Sequence, residues 1–187
     1  GLDKPGGMPR YGIPYYRLPF DKLDDDINVI KAAGVKIKCN TWVGKDITLE
    51  QLKKKNHAVL LSLGLQLGRS TRIPGSDHKH VQKAVTLLQK IAAGEKIDVP
   101  KTAAIIGGGN VAMDIARSLA RLQKQKFGEV NITVTAMESF EHFLADPEEV
   151  KEAQEEGVII LPSRGPQECM IEKNALVGLR TLKVLSI

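Results

Sequence analysis

The sequence predicts an α/β fold, built on a parallel sheet with helical crossovers and closed by an antiparallel hairpin. Three observations carry this. From Lys101 onward, short apolar runs alternate with segments of helical period, in the order β-α-β-α-β, which specifies a parallel sheet joined by right-handed crossovers. The first apolar run, TAAII, meets three consecutive glycines and turns at once into a helix. Near the end, PQECMIEKNALVGLRTLKV holds two extended runs that meet at Lys173-Asn174, the pattern of a hairpin.

The elements follow in order. DKLDDDINVIKAAG (21–34) places apolar residues at 23, 27, 30 and 33 and ends in glycine, which predicts an amphipathic helix. VKIKCNTWV (35–43) alternates as a strand does. ITLEQLKKKN predicts a short helix with Thr48 as its N-cap and Lys53-Lys54-Lys55 as its solvated end. HAVLLSLG (57–64) is a continuous apolar run, suited to a strand buried on both faces. RSTRIPGSDHK (69–79) is rich in turn formers, and HVQKAVTLLQKIAAGE (80–95) reads as a helix. Beyond it, TAAII is a buried strand, VAMDIARSLARLQKQ an amphipathic helix and VNITVTAM the next strand. PEEVKEAQEEG is a helix opened by Pro147, with acids where the helix dipole favours them. VIILP is the third strand.

Composition narrows the function classes. The 187 residues are 42% hydrophobic and 26% charged, ordinary for a globular protein with one core or two small ones. No apolar run is long enough to span a bilayer, and the first residues lack a secretory pattern. Without an initiator Met, the chain is expected to be a piece of something longer. Cys39 and Cys169 are far apart and in no CxxC pair, so two reduced thiols in the cytoplasm are expected. His78 and His80, two apart, would not share a face on a helix or strand, and no metal site is expected. The net charge of +5 raises nucleic acid as a partner, but only 4% of residues are aromatic and none interleaves with basic residues. Neither nucleic acid nor a membrane is expected.

The glycine turn carries the chemistry. Gly107, Gly109 and Ala112 fit G-x-G-x-x-A between a strand and a helix, the context of a Rossmann-like dinucleotide site. Gly107 permits the tight turn, the bare Gly109 lets a pyrophosphate approach the backbone, and Ala112 lets the helix sit close to the sheet. Backbone N–H groups near Gly108, Asn110 and Val111 would face the phosphates, and Asn110 would also cap the helix. The next strand ends at Glu138, 26 residues past Ala112, and residues 138–150 hold five acids and no Lys or Arg. A carboxylate there accepts hydrogen bonds from the ribose of NAD, whereas arginines would hold the 2′-phosphate of NADP. NAD is therefore expected ahead of NADP, although Ala at the third position occurs with NADP.

GGMPRYGIPYYRLP, GVKIKCNTWVGKDITLEQL, AVLLSLG, IPG and IIGGGNVAMDIAR, in that order, resemble the flavoproteins of the glutamate synthase small-subunit type, in the pyridine nucleotide-disulfide oxidoreductase superfamily. The resemblance implies that residues 1–75 are part of an FAD-binding domain and residues 76–187 an NAD(P)-binding domain incomplete at its C-terminus. It implies that NAD(P)H passes a hydride to FAD in the full-length protein. Electrons then leave one at a time to iron–sulfur clusters or an electron-accepting subunit. By the same resemblance, Val43 lies at the strand end beside the FAD adenine, and Leu63 and Gly64 at the strand end near FAD. Asp114 belongs to the nucleotide-site motif AMD, with a structural role favoured over contact. No catalytic side chain is expected, because hydride transfer is the cofactors' chemistry. The family's first glycine fingerprint is not among these residues, and Ala136-Met137-Glu138 stands where members often carry YRR. A non-catalytic NAD-binding regulatory or structural module is the alternative.

Overall fold

The computed structural model describes residues 1–186, which divide into two compact units, Gly1–Gln66 and Leu67–Ile187. No helix among the described residues is long and apolar enough to cross a membrane.

The first unit is helical: α1 (Gly7–Tyr11), α2 (Phe20–Ala32) and α3 (Leu49–Lys55). Arg10 joins α1 to α2. It is buried, donates to the Pro5 carbonyl at 2.6 Å, pairs with Asp24 and stacks over the Phe20 ring at 5.3 Å. Tyr11 donates to Asp3, which holds the Asp3 carboxyl below its usual range. Of the expected stripe on α2, Leu23 and Ile27 are buried while Ile30 and Ala33 are exposed. Thr48 caps α3 as expected, and the cap is reciprocal: Gln51 N–H donates to Thr48 Oγ1 at 3.1 Å and Thr48 N–H to Gln51 Oε1 at 2.9 Å.

Two expectations fail in this unit. Residues 35–43 and 57–64 form no strand; the described residues show only an isolated bridge between Val43 and Ile47. Leu60 is 91% and Leu63 74% exposed. A strand exists only where a neighbour pairs its N–H and C=O groups. Run 35–43 makes only isolated backbone bonds, Asn40 N–H to Leu2 O at 2.9 Å and the Gly1 ammonium to Thr41 O at 2.7 Å, and no described strand pairs with run 57–64, so apolar patterning alone does not make them strands.

The second unit holds the parallel sheet. β1 (Ala103–Ile106), β2 (Ile132–Thr135) and β3 (Ile159–Leu161) lie in the order β1-β2-β3. Ala103 is level with Ile132, and Thr133 with Ile159. The helix α4 (Ala84–Ala92) precedes them, α5 (Asn110–Phe127) crosses from β1 to β2, and α6 (Pro147–Glu155) from β2 to β3. The core lies between helices and sheet and includes Met113, Ala116, Ile132, Val134 and Ala153. Buried Gln123 donates to Pro100 O at 2.8 Å and accepts the Asn131 N–H at 2.7 Å, tying together the segments that lead into β1 and β2.

One bound and one burial pattern differ from expectation here. The helix read over 80–95 starts at Ala84, because Val81 N–H closes a turn onto His78 O at 2.8 Å. β1 is covered on one face only, with Ile105 buried and Ala104 exposed.

The hairpin is β4 (Arg164–Glu172) and β5 (Ala175–Lys183). It turns at Lys173-Asn174, both at positive φ (47° and 65°), the geometry that matches strand twist. It is anchored beside β2: Arg164 N–H donates to Ala136 O at 2.7 Å, and Thr135 Oγ1 to Arg164 O at 2.8 Å. Pro74-Gly75 docks on β4 through Cys169 N–H to Pro74 O at 2.9 Å. Gly75 has φ +75°, and a Cβ there would lie 2.6 Å from Cys169 O. The preceding residues, 69–72, are exposed and irregular. Limited trypsin digestion is expected to cut first at Arg69 or Arg72, read by mass spectrometry of early fragments; a first cut within residues 101–137 would contradict the division into units.

Arg117, 4% exposed, clamps α5 to α6. It donates to Glu149 at 3.0 Å and to Glu156 at 2.9 Å and pairs with Glu152, while Arg121 reaches Glu156 at 2.6 Å. Burial opposes ionisation of Glu156, but hydrogen bonds from Arg121 and Arg117 outweigh it and hold the carboxyl below the usual glutamate range. Removing one partner of a buried pair is costly. Arg117→Leu is expected to lose on the order of 3 kcal/mol of stability, whereas Glu152→Gln, at a side chain 40% exposed, loses under about 1 kcal/mol. Denaturant midpoints check both. A carboxyl with a lowered folded pKa stabilises above its unfolded pKa and loses that contribution as pH falls through the folded one. The melting temperature is therefore expected to fall below about pH 4.5, and less steeply in Glu156→Gln.

Candidate dinucleotide-binding site

The site is built where β1 ends. Gly107 leaves the strand at φ +130°, a conformation open to glycine and strained for other residues, while its N–H still donates to Thr135 O at 2.9 Å. Gly108 is buried; a Cβ there would lie 2.9 Å from the Ala136 Cβ, 3.2 Å from Glu138 Oε2 and 3.3 Å from Phe143 Cζ. Gly109 has the opposite surroundings, since a Cβ there would meet nothing within 4 Å. The three glycines thus serve backbone conformation, close packing and open approach in turn. Ala112 is buried, and its Cβ lies 3.8 Å from where a Gly107 Cβ would stand, so packing against the turn sets its size.

The open end of α5 points donors at the space beside Gly109. Gly109 is the N-cap and offers no side chain, and the N–H groups of Ala112 and Met113 bend back to Gly109 O at 2.9 and 3.3 Å. The N–H groups of exposed Asn110 and Val111 stand ahead of them in the first turn, where no intrahelical acceptor exists. Asn110 does not cap the helix as expected. It is the first helical residue, and its Oδ1 accepts the Asp146 N–H at 2.8 Å. Capping falls to the residue before the helix, and here that is Gly109.

Glu138 is half-buried past the end of β2, and its carboxylate faces Gly108. Ser163 N–H holds its carbonyl at 2.9 Å. The structure thus sets Glu138 beside the glycine turn across the sheet, although its distance of 26 residues from Ala112 is longer than the usual gap. Asp114, 4% exposed, lies in the packed interior rather than at the open face. Phe143, Ala145, Asp146 and Ser163 also border the turn or hold Glu138, and sequence reasoning missed them. Asp146-Pro147 carried one usable signal, an N-cap followed by proline: the Asp146 side chain accepts Glu148 N–H at 2.9 Å.

The residues assigned to FAD sit in the other unit. Val43 is exposed in a turn closed by Gly44 N–H to Ile47 O at 2.8 Å, Leu63 is exposed, and Gly64 has φ +68°. Among the described residues none of the three stands at a strand end, since neither 35–43 nor 57–64 forms a strand. The rings of His78 and His80 lie 5.3 Å apart; they meet because their segment is a turn, where the helix and strand periods do not apply. Both cysteines are free, and burial pushes the Cys169 thiol up. Among the described residues no three His, Cys, Asp or Glu side chains gather as a metal site.

A parallel sheet whose first strand turns through glycine into a helix, with an acid at the end of the second, defines a Rossmann-like α/β protein. The chain belongs to the pyridine nucleotide-disulphide oxidoreductase family, whose model matches residues 19–180. It is 43% identical over 163 residues to the NAD-dependent dihydropyrimidine dehydrogenase subunit PreT of Escherichia coli K12, a match that covers 87% of this chain and 38% of PreT. It is 35% identical over 182 residues to the NADP(+)-dependent formate dehydrogenase subunit beta of Moorella thermoacetica, covering 96% of this chain and 25% of that protein. Among solved structures, FprA from Mycobacterium tuberculosis shares the fold with a TM-score of 0.78 at 16% identity, over 99% of this chain and 59% of FprA. The chain thus spans well under half the length of the relatives it matches by sequence.

The packed Gly108 and the open Gly109 predict different responses. Gly108→Ala is expected to cost about 1–3 kcal/mol through overpacking, while Gly109→Ala stays within about 1 kcal/mol of the parent. Thermal melts of the two variants side by side check this.

Proposed function

We propose that this chain is part of an NAD(P)H-dependent flavoprotein oxidoreductase of the glutamate synthase small-subunit type, an electron-input subunit of the cytoplasm. Residues 1–75 would belong to its FAD-binding domain and residues 76–187 to its NAD(P)-binding domain. The observation that carries the reading is the Glu138 carboxylate set against the glycine turn, within 3.2 Å of where a Gly108 Cβ would be. Relatives named as subunits of NAD- or NADP-dependent enzymes support a partner subunit; the resemblance to the glutamate synthase small-subunit flavoproteins adds electron transfer to iron–sulfur clusters.

The residues present fit a dinucleotide. Asn110 and Val111 N–H groups bind the pyrophosphate at the positive end of α5. Gly107 and Ala112 shape the turn, and Gly109 leaves room for the phosphates. When bound, the nicotinamide supplies a hydride to FAD in the whole protein, so this chain's residues serve binding and alignment. Glu138 accepts from the adenosine ribose hydroxyls and repels a 2′-phosphate, and no Lys or Arg from 138 to 150 offsets it. That favours NAD(H). The relative at 43% identity is named NAD-dependent and the one at 35% NADP(+)-dependent.

Titration of NADH and NADPH into the complete protein at one ionic strength tests the proposal. A charge-assisted hydrogen bond contributes roughly 1.5–3 kcal/mol, so wild type is expected to prefer NADH by about tenfold or more. Glu138→Arg should reverse the preference, because arginine offers a fork to the 2′-phosphate. Equal affinity for both cofactors in wild type, or an unchanged ratio in the variant, would reduce Glu138 to a surface residue. Gly109→Ala is expected to weaken both cofactors alike, by about 1.5 kcal/mol for one displaced phosphate hydrogen bond.

A further inference from the structure

Asn110 is exposed, yet its side-chain oxygen is engaged. Oδ1 accepts the Asp146 N–H at 2.8 Å, and Asp146 caps α6, so the open end of α5 is tied to the start of α6. One residue earlier, Ala145 N–H donates to Gly108 O at 2.8 Å. Between Glu138 and these contacts, the Phe143 ring reaches Gly108 and lies 5.8 Å from the Phe140 ring, and Ser139 Oγ sits 3.0 Å from His142 Nδ1. At the other end, Ser163 N–H holds Glu138 O at 2.9 Å. Residues 138–146 are thus pinned at both ends around the glycine turn.

We propose that Asn110 is a positioning residue for cofactor choice: its side chain latches residues 138–146 against the turn and keeps the Glu138 carboxylate aimed where the adenosine ribose lies. This rests on the reading of Glu138 given above. A carboxylate on an unpinned segment must be ordered as the ligand binds, and that ordering subtracts from the discrimination it can deliver. The residue type fits the task. An amide oxygen accepts the Asp146 N–H and brings no charge. An aspartate could accept the same bond, but would set a negative charge beside the phosphates at the helix end.

The test titrates NADH and NADPH into the complete protein carrying Asn110→Ala or Asn110→Asp, and carrying Asn110→Ala together with Glu138→Gln. Amide exchange at Asp146 is followed in the single variants. Losing one such hydrogen bond is worth about threefold. Asn110→Ala is therefore expected to cut the preference for NADH about threefold and to speed Asp146 exchange. In the Glu138→Gln background it leaves the ratio unchanged. Asn110→Asp is expected to weaken both cofactors, keep the ratio and keep Asp146 protected. A wild type that prefers NADH and an Asn110→Ala variant that prefers it equally would overturn the latch alone. So would a change of ratio of the same size in both backgrounds. A wild type without preference would overturn the Glu138 reading, and the latch with it.

Discussion

The space denied to a side chain at Gly108 is the constraint around which the site is organised. At that atom the end of β1, the end of β2 and residues 138–146 converge, with Ala136, Glu138 and Phe143 all within 3.3 Å of a notional Cβ. Only a bare backbone lets them close. If this residue carried a side chain, Glu138 would stand off the turn, and the open donors of α5 would have no acid opposite them. Gly107 and Gly109 then divide the remaining work, one through its dihedral angle and the other through the space it leaves.

Electrostatics maintains what packing arranges. α5 and α6 start at the same edge of the parallel sheet, so their positive ends lie side by side. The α6 end is covered by its own Asp146 cap and by Glu148 and Glu149 in its first turn. The α5 end has no acid in its first turn and a glycine cap. Donors are thus left open at one helix end, and carboxylates cover the other. Farther along, Arg117 and its three glutamates hold the two helices in register, with the charges paired where burial would otherwise penalise them.

The second unit was largely legible from the sequence. Each of its strands runs to a helix or a turn whose signal is local: the glycines after Ile106, Asp146-Pro147 before α6, Lys173-Asn174 in the hairpin. The first unit was legible only where its signals were equally local, as at the Thr48–Gln51 capping box. Its apolar runs, 35–43 and 57–64, carry strand patterning, but among the described residues they meet at most single backbone bonds and no ladder. Patterning states what a segment would bury; it does not supply the neighbour that buries it. Val43, Leu63 and Gly64 lost their expected placement for this reason.

The sequence by itself determined the βαβαβ order, the glycine turn and the acid that follows the second strand, because these depend on contacts a few residues long and on the periods of helix and strand. The tertiary structure decided the rest of the site. It gave Gly108 rather than Gly109 the crowded position, moved the cap from Asn110 to Gly109, and brought Ser163 to Glu138, Ala145 to Gly108 and Asp146 to Asn110. Those outcomes depend on how closely two strand ends and a returning loop approach one another, a distance set by packing across the sheet rather than by any neighbouring residue in the chain.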